Sequence, residues 1–131
     1  MTTALWCLFI AAQLHFISKA PLAFAQGKTS EGYDNNNPRD QQASLDGWGR
    51  RANAIHQNQI ESFPFFATGV LVTIATGVTS QWIDILAITY IVSRLAYMFC
   101  YLKDLATLRS TVWAIGITCS FLLMIAPAWA G

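Results

Sequence analysis

Charge is what this sequence has least of. Eight Lys and Arg and seven Asp and Glu make up 11% of its 131 residues, against 54% hydrophobic, where a soluble domain carries about 25% charge. That deficit excludes an ordinary cytosolic globule. The net charge of +1 leaves no electrostatic footprint for nucleic acid, so no nucleic-acid partner is expected. Cysteine is scarce as well. Cys7, Cys100 and Cys119 are odd in number, widely spaced and each inside apolar sequence, which excludes a disulfide framework and a zinc site. They read as small packing residues, and no metal is expected. The length allows one domain and excludes separate cofactor and substrate lobes.

Apolar sequence is abundant. A helix needs about 20 residues to cross the roughly 30 Å hydrocarbon core of a bilayer, and four stretches qualify: about 3–24, 47–78, 81–102 and 108–129. None shows the period-2 alternation of a barrel strand, so the expected fold is all-α, a four-helix transmembrane bundle formed by one domain spanning 1–131. The first half of the second stretch is polar, as if the helix starts outside the membrane and then enters it. Pro64 is expected to kink that helix. Between the first two stretches lies the one long polar loop, 26–46, with Asn35-Asn36-Asn37-Pro38 as a turn signal. A second reading of the N-terminus is a cleaved signal peptide, because Ala23-Phe24-Ala25 resembles a small-x-small site; the absence of a preceding Lys or Arg argues against it.

The basic residues set the expected topology. Lys28, Arg39, Arg50 and Arg51 fall in or beside the first loop, and Lys103 and Arg109 beside the third. The positive-inside rule therefore places loops one and three in the cytoplasm and both termini on the opposite side. Trp48, Trp82, Trp113 and Trp129 lie near segment ends, as interfacial tryptophans do.

Two charges fall inside the segments. Glu61 lies about 15 Å along the axis from Arg51, and Arg94 about 13–14 Å from Lys103, at 1.5 Å per residue. Their depths match. A charge near the bilayer centre costs from about 2.5 kcal/mol upward, so Glu61 and Arg94 are expected to pair, within one subunit or across a boundary. At about 100° per residue, Arg51, Asn58 and Glu61 share a sector of roughly 80°, and Arg94, Tyr97 and Tyr101 line up on the next helix. These six make a polar stripe opening toward the cytosol. His56 is turned about 140–160° away from Arg51 and Asn58 and is expected to meet another helix or loop.

The run Arg51-Ala52-Asn53-Ala54-Ile55-His56-Gln57-Asn58-Gln59-Ile60-Glu61-Ser62-Phe63-Pro64-Phe65 resembles the second-helix signature of the MAPEG family, membrane-associated proteins of eicosanoid and glutathione metabolism. Arg94-Leu95-Ala96-Tyr97-Met98-Phe99-Cys100-Tyr101-Leu102, followed by Arg109-Ser110, is a second match, and Asn37-Pro38-Arg39-Asp40 a weaker third. The resemblance implies a four-helix subunit, a homotrimer, and glutathione bound as co-substrate between adjacent subunits. It implies that Arg51, Asn58, Glu61, Arg94 and Tyr97 bind glutathione, with Glu61 suited to its ammonium. Arg109 falls on the arginine assigned to the sulfur, beside Ser110, and Tyr101 on a tyrosine that contacts glutathione. Ala54 and Gln57 depart from the pattern where relatives carry arginine, which implies weaker binding or another ligand. The expected activity is a glutathione-dependent transferase or peroxidase acting on a lipophilic small molecule delivered from the bilayer. The alternative is a non-catalytic lipid-binding scaffold on the same fold.

Overall fold

A computed structural model describes all 131 residues. The chain forms six helices and no strand: α1 (Thr3–Gly27), α2 (Pro38–Ser44), α3 (Gly47–Ala75), α4 (Gln81–Leu102), α5 (Ala106–Met124) and α6 (Ala126–Trp129). Local chemistry sets the ends. Thr2 Oγ1 accepts from the Leu5 amide at 3.2 Å, and Ser80 Oγ from the Trp82 amide at 3.2 Å, which satisfies donors that the first turns of α1 and α4 leave free. Helix α3 stops where Gly77 takes φ +67°, with Val78 N donating to Thr73 O and Gly77 N to Ile74 O. Helix α4 stops the same way, although the left-handed residue is Asp104, at φ +59°. Leu105 N then donates to Cys100 O at 2.8 Å and Asp104 N to Tyr101 O at 3.1 Å. Both are paired C-terminal closures that need a residue with positive φ.

The helices depart from their expected bounds in four places. The first continues past 24 to Gly27, and the second ends at Ala75 rather than 78. The polar loop 26–46 contains α2, because Pro38 has a backbone angle already suited to a first helical turn. The last segment divides at Ile125: Pro127 cannot donate to continue α5 but fits the first turn of α6, and Trp129 Nε1 donates back to Leu122 O at 3.0 Å.

Helix α3 runs through the middle of the bundle, packed on α1, α4 and α5, while α4 and α5 form the most extensive pair. Small residues let the backbones approach. A Cβ on Gly69 would come within 2.8 Å of Leu123 Cβ and 2.9 Å of the Ser120 carbonyl oxygen, and one on Gly116 within 2.7 Å of Ser93 Oγ. Helix pairs inside membranes use small residues for the same purpose. Between them Phe66 and Tyr90 stack face to face, 3.9 Å apart and nearly parallel, surrounded by Cys7, Ala11, Val70, Ala87 and Leu123.

The outside of the bundle is as apolar as the inside. Phe16, Ile88, Val92, Leu95, Phe99 and Phe121 are each about half or more exposed, a pattern that water penalises and lipid does not. Three helices, α1, α4 and α5, are long and apolar enough to cross a membrane. Helix α3 is the longest at 29 residues, but its first half carries Arg50, Arg51, Asn53, His56, Asn58 and Glu61.

Candidate functional site

The polar half of α3 lies against the last turns of α4 and the first turns of α5. At the bottom of this region sits Arg94, only 1% exposed. Its Nε donates to Gln59 Oε1 and its Nη2 to Asn58 Oδ1, both at 2.6 Å. Asn58 Oδ1 also accepts from Ser62 Oγ at 3.2 Å. The Asn58 carbonyl is thus fully used, and its amide nitrogen remains as a donor.

The expected Glu61–Arg94 pair does not form within the chain. Glu61 is exposed, and the buried guanidinium is held by two amides instead. The two residues match in depth along their helices but not in rotation. Asn58 and Gln59, about 100° apart, bracket the direction of α4, and Glu61 points roughly 110° away from the middle of that bracket.

Above Arg94 the side chains form a continuous stack. The Arg94 guanidinium lies 4.5 Å from the centre of the Tyr97 ring, Tyr97 meets Tyr101 edge to face at 5.7 Å, and the Arg109 guanidinium lies 4.6 Å from the centre of Tyr101. Each guanidinium faces the electron-rich side of a ring, an attraction of about 0.5–2 kcal/mol that grows as water is excluded. The short α4–α5 turn closed by Asp104 places Arg109, in the first turn of α5, directly over Tyr101.

Asn58, Tyr97, Tyr101, Arg109 and Ser110 line one cavity of about 250 Å³, together with Trp113. An adjoining cleft of about 450 Å³ shares Tyr101 and Arg109 and adds Gly47, Arg50, Arg51, Ala54 and Asp104. Arg51 Nε is sealed from solvent without a hydrogen-bond partner. A wide groove of about 820 Å³ along α5 starts at Arg109 and Ser110 and continues past Ala114, Ile115, Thr118 and Cys119. The structure therefore gathers Arg51, Asn58, Tyr97, Tyr101, Arg109 and Ser110 at two connected openings, with Arg94 beneath them and Glu61 outside.

Sequence reasoning does not place Gln59, Arg50 or Trp113 at the site. Gln59 reads there as one polar residue among several; its 5% exposure, which only packing reveals, distinguishes it. Arg50 reads as a loop charge that sets topology. Trp113 reads as an interfacial tryptophan, yet it walls the cavity. His56 does turn away from the site, toward α1. Its Nδ1 lies 3.0 Å from Ser18 Oγ and its ring 5.0 Å from that of His15. Ser18 Oγ also lies 2.9 Å from His15 O, and its single proton serves one of the two contacts according to the tautomer of His56. The three cysteines are unpaired and buried, and no three His, Cys, Asp or Glu side chains are grouped to hold a metal ion.

No curated protein and no solved structure matches the chain significantly. A family model does match, over residues 3–129, nearly the whole chain. With three membrane-length helices and that match, the chain is an integral membrane protein belonging to the MAPEG family.

Proposed function

We propose that this protein is a membrane-bound, glutathione-dependent transferase or peroxidase that acts on lipophilic electrophiles. The observation that carries the reading is the Arg109 guanidinium stacked on Tyr101 in the wall of a cavity that Asn58, Tyr97 and Ser110 complete. A free thiol has a pKa near 8.5 and is mostly protonated at neutral pH. A guanidinium never loses its charge there, so Arg109 stabilises the thiolate, with the hydroxyls of Tyr101 and Ser110 donating to the sulfur. The thiolate lone pair attacks the electrophilic carbon, a C–S bond forms, the leaving group departs with its bonding pair, and the thiol proton goes to solvent.

The remaining residues suit a tripeptide with two carboxylates and one ammonium. Arg51, which lines the adjoining cleft, holds a carboxylate, and the free amide nitrogen of Asn58 donates to a glutathione carbonyl. Arg94 supplies charge from beneath, and Tyr97 forms the wall between. Glu61 lies outside both openings, so it serves the ammonium at the boundary with a neighbouring subunit, in a homotrimer. Helix α3 is the fourth crossing, its apolar half in the bilayer and its polar half at the cytoplasmic face with loops one and three. Both termini lie opposite. The lipophilic co-substrate enters along the α5 groove.

That groove also supports the second reading, a non-catalytic lipid-binding scaffold, because most of its length is apolar and away from the arginines. One titration separates the two. Glutathione added to the purified protein is expected to give saturable thiolate absorbance that Arg109→Ala abolishes. No saturable signal in the wild type leaves the scaffold; a signal that survives Arg109→Ala moves the sulfur to another residue.

A further inference from the structure

We propose that Gln59 is a positioning residue that holds Arg94 in place without cancelling its charge, and thereby makes the cavity selective for thiols of net negative charge. This rests on the thiol-binding reading above. A guanidinium as deeply buried as Arg94 ordinarily sits against a carboxylate, which neutralises it. Here both hydrogen-bond partners are neutral amides, and the third contact is the face of Tyr97. Glu61, the carboxylate nearest to Asn58 and Gln59 in sequence, is on the outside, and Asp104 lines only the adjoining cleft. Arg94 therefore keeps a full positive charge in a region of low dielectric, where its field extends further than at a surface. Two of the three residues touching it, Asn58 and Tyr97, line the cavity, and no carboxylate lines that cavity. Arg94 Nη1 makes no hydrogen bond within the chain.

Gln59→Glu tests the idea with almost no change of shape. The new carboxylate can accept from Arg94 Nε as the amide oxygen does, so a purely structural clamp is preserved or tightened. The charge, however, is cancelled. Thiolate absorbance of bound glutathione is expected to require roughly tenfold more ligand in Gln59→Glu, with the melting temperature unchanged or higher. Glutathione ethyl ester, which has one carboxylate fewer to hold, is expected to lose less. Equal glutathione affinity in the two proteins would overturn the proposal while leaving the transferase reading intact. Inorganic sulfate gives a readout that needs no thiol. It is expected to raise the melting temperature of the wild type more than that of Gln59→Glu, by mass action on the folded state. If wild type gives no thiolate signal, the glutathione reading fails, and the sulfate shifts still decide the charge: equal shifts overturn it.

Discussion

The two ends of the bundle are built on different physics. On the terminal side of Arg94, Phe66 lies flat on Tyr90, Gly69 admits Leu123, and Gly116 admits Ser93, and a Cβ on either glycine would collide with its neighbour. At the other end the contacts are Arg94 on two amides and two guanidiniums on two tyrosine rings, beside openings of about 250 and 450 Å³. Close apolar packing fixes helices against each other but offers nothing to a polar ligand. Directional contacts hold charged groups in set positions while leaving room beside them. The bundle thus separates its close apolar packing from its polar candidate site.

The sharpest way to break this contrast is to overfill the packed end. Gly69→Leu is expected to destabilise the fold by roughly 2–3 kcal/mol, since its Cβ alone would press on Leu123 Cβ and the Ser120 carbonyl. Thermal unfolding in detergent measures it, with Gly27→Ala as a control, since nothing lies within 4 Å of that position. A loss no larger than the control's would mean that α3 and α5 are free to separate. At the site end the cost should be smaller and the functional effect larger. Arg94→Met leaves Gln59 without a donor and Asn58 with Ser62 alone, which costs about 1–2 kcal/mol, and glutathione binding is expected to fall disproportionately. Retention of wild-type affinity in that variant would remove Arg94 from the site. The smallest effect concerns the turn between the ends of α4 and α5. Asp104→Gly relieves a left-handed backbone angle of +59° and is expected to raise stability by a few tenths to about 1 kcal/mol. A decrease would show that the Asp104 carboxylate contributes more, through the neighbouring arginines of its cleft, than the strain it carries.

Much of this organisation is legible in the residues themselves. Apolar length alone marks the three membrane-length helices and the half-polar α3. Grouping Asn58 with Tyr97, Tyr101, Arg109 and Ser110 needs only helical phase and the two motifs, and the fold puts all five on one cavity. The division of the last helix is also present in principle, in Pro127, but a single proline in an apolar run reads equally well as a kink.

The partner of Arg94 is not legible in the same way. Every residue of a helix rises 1.5 Å, so residue numbers alone fix which side chains share a level, Glu61 and Arg94 among them. Which side chain at that level faces the neighbouring helix depends on how α3 is rotated about its axis. Packing sets that rotation, through the contacts one and two turns further along, where Phe66 meets Tyr90 and Gly69 meets Leu123. Those apolar contacts turn Asn58 and Gln59 toward Arg94 and leave Glu61 outside.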